Sequence, residues 1–156
     1  MTEPVVVQLT PTPFACIRRK ATLADMPTVM AEGFAALSQL FDKAHARMAG
    51  APLAHYLDYD ATSATFELGF PVDAEKLEDL RAAGLTIGQT PGGDIMTATH
   101  IGPYDTIVRT YDAMTMAMKQ RGLSGSKDMW ERYFSPPDTP PEQIRTDVLW
   151  PVSKAP

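Results

Sequence analysis

The chain has 156 residues, a hydrophobic fraction of 44% and a net charge of -5, and this length suits one compact domain that buries roughly 70% of its unfolded surface. The acidic balance, without any long Lys/Arg run, argues against direct binding to nucleic acid, which needs a basic surface. Cys16 is the only cysteine and the three histidines are scattered, so the sequence predicts no internal disulfide, no metal site and no cofactor. No segment approaches the roughly 18 apolar residues of a membrane helix, and the first residues do not resemble a signal peptide, which predicts a cytoplasmic protein with no membrane partner.

The predicted elements alternate between strands and helices along the chain. A strand at 14–22 precedes a helix predicted over 26–48, whose apolar residues recur at spacings of three and four. Asp25 is the predicted N-cap of this helix, and Pro27 lies in its first turn, where a missing N–H costs nothing. The remaining elements are two strands joined by a short "DATS" connection (53–59 and 64–72), a short helix (73–84), two strands around a Gly-Gly turn (85–101), a second long helix (103–121) and two final strands (129–134 and 146–152).

The two halves of the chain end alike, which predicts an internal duplication. "GFPV" at 69–72 and "LWPV" at 149–152 close the halves at equivalent places. Each half is predicted as strand–helix–strand–strand, with a first repeat at about 5–72 and a second at about 85–153. The predicted fold class is therefore α+β, with antiparallel sheets, two long helices and a central cleft between pseudo-twofold halves. Clefts of this kind are favoured ligand sites.

A carboxylate interrupts the most aromatic strand of the second half, "MWERYF" at 129–134. Because side chains alternate along a strand, we expect Met129, Glu131 and Tyr133 to face one side and Trp130 the other. A charge in an apolar cleft is costly unless it is paired. The pattern therefore predicts a receptor for a hydrophobic cation, in which neighbouring rings add cation–π attraction.

A second interpretation of the same carboxylate remains open. Glu131 could instead form a structural ion pair with a nearby arginine, such as Arg145 or Arg109. The two interpretations differ in what removal of the charge should change: ligand selectivity in the first, stability in the second.

Aromatic residues elsewhere are candidates for the opposite wall of the cleft. Aromatic residues at strand spacing are more often plain core, so this role is the less specific one. The indole N–H of a buried tryptophan would also need a hydrogen-bond acceptor. These candidates are Tyr56, Phe66, Phe70 and Trp150.

Several short motifs follow one another in a fixed order in the second half. They are H-x-G-P-Y, a Gly-Leu pair after a helix, a strand with E-x-Y, an R-T-D triplet and a final P-V. Together they resemble the GyrI-like small-molecule-binding domain, which also occurs as the effector-binding domain of multidrug-responsive transcription regulators. The resemblance covers the second half closely and the whole chain in outline. The matching residues are His100, Gly102, Pro103, Tyr104, Ile107, Gly122, Leu123, Glu131, Tyr133, Arg145, Thr146, Asp147, Pro151 and Val152.

The resemblance implies a single GyrI-like domain over 1–156, built from a duplicated SHS2-type repeat with a central ligand cleft. It also implies that Glu131 is the key glutamate of the site. In the regulators, the corresponding glutamate contacts cationic aromatic compounds and is surrounded by tyrosines. The regulators carry an additional DNA-binding domain, whereas this sequence predicts no helix-turn-helix segment. The candidate ligand-binding residues are therefore Glu131, Tyr133, Met129, Trp130, Tyr56, Phe66, Phe70, Tyr104 and Trp150.

Three functions are compatible with these expectations. The leading one is a stand-alone binding module that senses or sequesters small hydrophobic compounds, including cationic aromatic ones. The second is a hydrolase that opens strained rings of toxic natural products, with Glu131 as general base and Tyr133 beside it. The third is a protein-binding, gyrase-modulator-like role. A monomer and a homodimer both remain open.

Overall fold

The computed structural model describes residues 2–136 and 138–156. Met1, where the predicted domain begins, and Pro137, in the predicted Pro-rich loop before the last strand, lie outside the described residues. The helices and strands, in chain order, are β1 (Val5–Leu9), β2 (Pro13–Thr22), α1 (Met26–Ala44), β3 (Leu53–Tyr59), β4 (Ser63–Pro71), α2 (Leu77–Ala82), β5 (Thr86–Gln89), β6 (Gly93–Ile101), α3 (Val108–Arg121), β7 (Leu123–Gly125), β8 (Met129–Tyr133) and β9 (Arg145–Lys154). Every strand pairing given below is antiparallel, so the predicted α+β class with antiparallel sheets is confirmed.

The chain forms two compact units. The N-terminal unit is Pro11–Thr90, and the C-terminal unit combines Pro91–Pro156 with the residues up to Thr10. The first strand, β1, pairs with β6, and β5 pairs with β2. The units differ in extent from the predicted repeats of about 5–72 and about 85–153, because β1 and β5 each belong to the unit of the strand with which they pair. The duplication itself stays a prediction.

The N-terminal unit is a four-stranded sheet in the order β3–β4–β2–β5, with α1 against one face. Helix α1 comes close to the sheet at Gly33, where an added Cβ would lie 2.7 Å from Leu68 Cδ1. The predicted hairpin between β3 and β4 is confirmed. Its turn is fixed by the carboxylate of Asp60, which accepts backbone N–H bonds from Thr62 at 2.8 Å and Ser63 at 2.9 Å.

The C-terminal unit is a sheet in the order β1–β6–β9–β8, with β7 added to the far end of β9. Helix α3 lies on one face of this sheet. Its apolar side packs on β6 and β9 in a buried cluster formed by Met96, Ala98, Met114, Ala117, Met118 and Val148. This cluster positions the face on which the candidate site is built.

The first long helix is shorter than the predicted 26–48. It ends at Ala44, where His45 adopts a left-handed conformation with φ of 52° and donates its N–H to the last turn. Met48, which continues the apolar spacing in the sequence, is 42% exposed. The spacing of apolar residues alone therefore predicts a longer helix than the structure has. Asp25 occupies the N-cap position but makes no side-chain capping bond, because its own backbone is already helical (φ -91°, ψ -7°).

The second long helix also starts later than the predicted 103–121. Pro103 is extended (φ -65°, ψ 155°), and a single 3-10 turn, Tyr104–Thr106, comes before α3. Its predicted end is confirmed: Gly122 caps it with φ of 65°. No helix among the described residues is long and apolar enough to cross a membrane.

We expect Cys16 to be unreactive in the folded protein. Burial, and next the negative charge of Glu67, raise the pKa of its thiol to about 12, and only the thiolate is a good nucleophile. Iodoacetamide at mildly alkaline pH should therefore leave the native protein unmodified by intact mass, while the same reaction in urea should add one adduct. Rapid alkylation of the native protein would contradict this burial.

Candidate functional site

Glu131 lies on the helix-covered face of the C-terminal sheet. In β8 it pairs across the strands with Val148 of β9, and Val148 belongs to the cluster under α3. Side chains paired in this way share a face. The residue is only 8% exposed, so its carboxylate is largely shielded from water.

Two tyrosine hydroxyls donate to this carboxylate. Tyr111 of α3 donates to Oε2 at 2.5 Å, and Tyr133 of β8 donates to Oε1 at 2.8 Å. An ionised carboxylate only accepts hydrogen bonds, so it suits two donors at once. Bonds to a charged acceptor are shorter and stronger than neutral ones, and here they fix both oxygens in one orientation.

Two further rings stand edge-on to those tyrosines. The ring of Tyr104 meets that of Tyr133 at 6.1 Å between centroids with an interplanar angle of 82°. The indole of Trp150 meets the ring of Tyr111 at 5.9 Å and 70°. We call Glu131 with Tyr104, Tyr111, Tyr133 and Trp150 the Glu131 cluster. All five belong to the C-terminal unit.

His100 holds the turn that carries Tyr104. It is buried, and its ring bonds Thr110 Oγ1 at 2.9 Å through Nδ1 and the carbonyl oxygen of Pro103 at 3.1 Å through Nε2. The imidazole thereby ties the end of β6 to the start of α3. The bonds of His100 are therefore structural, and they hold the turn in which Tyr104 lies beside Tyr133.

The phenol of Tyr104 stays neutral in this setting. Its burial, and next the negative charge of Glu131, raise the pKa of Tyr104, against a smaller lowering by the nearby Thr146 hydroxyl. Thr146 Oγ1 is buried and makes no hydrogen bond of ordinary geometry among the described residues. A neutral phenol can donate a hydrogen bond and also present its ring to a cation.

Arg145, one predicted ion-pair partner of Glu131, is engaged elsewhere. Its Nε and Nη2 donate to the two carboxylate oxygens of Asp147 at 3.2 and 3.1 Å. Its guanidinium also lies 4.3 Å above the ring centroid of Phe134. Asp147 accepts a further bond from Thr99 at 2.8 Å. The prediction of a Glu131–Arg145 pair is therefore wrong, because Arg145 sits on the opposite face of β9 and meets a different carboxylate.

The two other β8 candidates occupy different faces. Met129 is buried on the same side of the strand as Glu131. Trp130 is also buried, but it pairs with Leu149 on the other side of the sheet. The backbone of the sheet therefore lies between the side chains of Trp130 and Glu131, and a ligand role for Trp130 stays a prediction.

The three candidates from the first half belong to the N-terminal unit. Phe66 is fully buried, and its ring lies 5.9 Å from that of Tyr56. Phe70 packs edge-on against two rings of α1, with Phe41 at 5.5 Å and Phe34 at 6.4 Å. These contacts make Phe66 and Phe70 core residues of their unit. A ligand role for Tyr56, Phe66 and Phe70 stays a prediction.

Tyr111 is the functional candidate that sequence reasoning missed. It lies on the side of α3 that packs on the buried cluster of the sheet, so its spacing alone marks it as a core residue. The available signal was chemical: a tyrosine on a buried helix face needs a hydrogen-bond acceptor for its hydroxyl. The acceptor is the carboxylate that the sequence had already singled out.

Two concave surfaces lie in the N-terminal unit. A depression of about 220 Å³ is lined by Lys43, Ala44, His45, Lys76, Asp79, Ala82 and Ala83, and a smaller one lies at the β3–β4 turn. Neither contains a residue of the Glu131 cluster, and neither is lined by the several aromatic side chains that would suit an aromatic compound. Across residues 2–136 and 138–156, no three His, Cys, Asp or Glu side chains come together as a metal site would require.

Comparison of the sequence with protein families gives one match. The model of the GyrI-like small molecule binding domain matches residues 2–153. Among curated proteins, none matches this chain.

Comparison with solved structures gives relatives in fold. A hydrolase from Listeria innocua is 20% identical with a TM-score of 0.67, and the match covers 97% of this chain and 92% of that one. EcmrR, solved in a complex with DNA, is 17% identical with a TM-score of 0.78, and the match covers 97% of this chain and 57% of that one. SAV2435, solved with tetraphenylphosphonium bound, is 14% identical with a TM-score of 0.67, and the match covers 97% of this chain and 94% of that one. At these identities the likeness is one of fold.

Proposed function

This chain belongs to the GyrI-like small-molecule-binding domain family, and we propose that it binds small hydrophobic compounds, including cationic aromatic ones, at the Glu131 cluster. One observation carries the proposal: a carboxylate only 8% exposed accepts hydrogen bonds from two tyrosines whose rings are flanked by further aromatic side chains. We infer a sensing or sequestering role, because the two hydrogen bonds already orient the Glu131 carboxylate in the absence of a ligand.

The charge and the rings favour the same class of ligand. A carboxylate shielded from water attracts a cation more strongly than an exposed one does. Aromatic faces add roughly 0.5–2 kcal/mol of cation–π attraction each when the site is dry. The two tyrosine bonds fix the carboxylate before the ligand arrives, which lowers the ordering cost of binding. A large, weakly hydrated organic cation suits a shielded carboxylate among aromatic rings better than a small inorganic cation does.

The relatives supply the first probe. SAV2435 has been solved with tetraphenylphosphonium, a cation whose charge is surrounded by four phenyl rings. Tetraphenylborate has nearly the same shape and the opposite charge. The pair therefore separates recognition of charge from recognition of apolar surface.

The proposal is tested by calorimetric titration of the protein with both ions. We expect saturable one-to-one binding of tetraphenylphosphonium and at least tenfold weaker binding of tetraphenylborate, since the latter places like charges together. Equal affinity for the two ions, or no saturable binding of either, would reject the proposed ligand class.

Substitutions of Tyr133 should separate the ring from the hydroxyl. Tyr133→Phe keeps the ring that a cation contacts but removes one of the two hydrogen bonds that orient Glu131, so we expect tetraphenylphosphonium affinity to fall by no more than about tenfold. Tyr133→Ala removes the ring as well and should lower the affinity by a further threefold to thirtyfold or so, as the loss of roughly 0.5–2 kcal/mol implies. Titration of both variants checks this order, and Tyr59→Phe on the exposed hairpin is the control. Equal losses in the two variants would mean that the ring is not a contact surface.

A hydrolase is the second candidate, and two observations favour it. A solved hydrolase shares the fold, and Glu131 has tyrosine hydroxyls within proton-transfer distance. The test is to incubate the protein with small strained-ring electrophiles, such as aryl epoxides, and to follow addition of water by mass spectrometry. The binding proposal expects the compounds to stay intact. Turnover that falls by about 10²–10⁴-fold in Glu131→Gln would favour the hydrolase instead.

A further inference from the structure

Gly125 lies directly behind the indole of Trp150. It ends strand β7 and pairs with Val152 of β9, two residues beyond Trp150. A Cβ added at Gly125 would lie 2.6 Å from Trp150 Nε1, 2.7 Å from Cε2 and 3.0 Å from Cζ2. Contacts of 2.6–2.7 Å to a rigid ring system cannot be tolerated without movement. The indole therefore occupies its place only because residue 125 has no side chain.

The same segment also holds the edge of the indole. Trp150 Nε1 donates to the carbonyl oxygen of Ser126 at 2.7 Å, and Ser126 N in turn donates to the carbonyl oxygen of Pro151 at 2.8 Å. The Ser126 hydroxyl bonds Asp128 as well. The indole is thus positioned by its close contact with Gly125 and by the hydrogen bond from its N–H to Ser126, whose own backbone N–H is also hydrogen-bonded.

The indole also contacts the site. The rings of Trp150 and Tyr111 are 5.9 Å apart at 70°, and the Tyr111 hydroxyl donates to Glu131 Oε2 at 2.5 Å. A displacement of the indole therefore changes its edge-on contact with Tyr111. Since the Tyr111–Glu131 bond is already short, its geometry tolerates little displacement of the phenol.

We propose that Gly125 is a positioning residue for the ligand site: through Trp150 it fixes Tyr111, and through Tyr111 it sets the orientation of the Glu131 carboxylate. This inference rests on the proposed binding of hydrophobic cations at Glu131. It assigns a role to a residue that touches neither the carboxylate nor a ligand.

The test combines Gly125→Ala with substitutions of Trp150. In Gly125→Ala the new methyl group displaces the indole, and we expect tetraphenylphosphonium affinity to fall by roughly tenfold, the equivalent of one charge-assisted hydrogen bond. Alanine at position 150 has no atom at the places of Nε1, Cε2 and Cζ2, so the methyl group of residue 125 has room in the Trp150→Ala background. In that background, Gly125→Ala should therefore change the affinity by less than about twofold.

A spectroscopic readout accompanies the titrations. The chain has two tryptophans, so ¹⁵N-labelled protein gives two indole N–H resonances, and Trp150→Phe identifies that of Trp150. We expect this resonance to shift in Gly125→Ala as the bond to Ser126 lengthens, with the Trp130 resonance unchanged. If Gly125→Ala does not fold, Trp150→Phe alone should still lower the affinity severalfold, because Tyr111 loses its packing partner.

The possible outcomes are distinct. Absence of tetraphenylphosphonium binding to wild type rejects the proposed function and this inference with it. Wild-type binding with unchanged affinity in Gly125→Ala, or in Trp150→Phe where the alanine variant does not fold, rejects the inference alone. An equal loss of affinity on Gly125→Ala in both backgrounds also rejects it, because the effect would then come from strand β7 and not from the indole.

Discussion

Replacing Glu131 by glutamine is expected to lower the affinity for tetraphenylphosphonium by about tenfold to a hundredfold. Glutamine keeps the shape of the side chain and removes its charge, and interactions with a charged partner are worth ~1.5–3 kcal/mol. The amide can still accept a hydrogen bond from one of the two tyrosines that now contact the carboxylate. Folding stability should hold or rise, because a buried charge disappears. Titration calorimetry and thermal unfolding measure the two effects separately.

Two controls make the result specific to the site. Triphenylphosphine oxide, a neutral triaryl compound, should bind wild type and Glu131→Gln with equal affinity if it binds at all. Glu142→Gln removes the same charge from an exposed position of the C-terminal unit and should leave cation affinity unchanged, since exposed charges are screened by salt. A lower melting temperature in Glu131→Gln without any ligand-selective change would instead identify a structural carboxylate.

Replacing Gly69 by alanine is expected to be the most destabilising single methyl addition in the N-terminal unit. Gly69 lies in β4, and an added Cβ would be 2.2 Å from the carbonyl oxygen of Ala15 and 2.8 Å from Cys16 Cβ. A backbone oxygen in the middle of a sheet cannot move aside without breaking the β2–β4 pairing. We expect a loss of at least about 3 kcal/mol in the free energy of unfolding. For a chain of this size that loss lowers the melting temperature by roughly 6–12 °C.

Gly88→Ala is the matched control for this substitution. Gly88 lies in β5 of the same sheet, and an added Cβ meets no atom within 4 Å. Its free energy of unfolding should therefore change by less than about 0.5 kcal/mol. Equal melting temperatures for the two variants would show that β2 and β4 are not as closely packed at Gly69 as the structure indicates.

Local patterns in the sequence predict most of the helices and strands. The pairing of strands that are distant in the sequence cannot be predicted from such patterns. Strand β8 and the face of Glu131 follow from alternation along "MWERYF", and the end of α3 follows from Gly122. The partner of β1 could not be predicted in the same way. A strand from the start of the chain pairs with β6, about ninety residues away (Val5 with Thr97, for example), and no local signal encodes such a choice.

The candidate site was predicted only in part, because some of its contacts also join residues that are distant in the sequence. Glu131 and Tyr133 stand two positions apart on one strand, so their proximity is local. Tyr111 reaches the carboxylate from a helix, and Arg145 turns away to Asp147 because β9 alternates its faces. Both facts depend on the register of β8 on β9, which places Glu131 opposite Val148. The sequence contains the residues but not that register.

A crystal structure of the protein with tetraphenylphosphonium would show directly whether Glu131 recognises the cation. We expect the phosphonium centre beside the Glu131 carboxylate and within about 6 Å of the ring centroid of a tyrosine in the Glu131 cluster. Density for the ligand at a place that contains no residue of this cluster, such as the depression beside Lys43 and His45, with Glu131 still bonded to Tyr111 and Tyr133 as before, would contradict it.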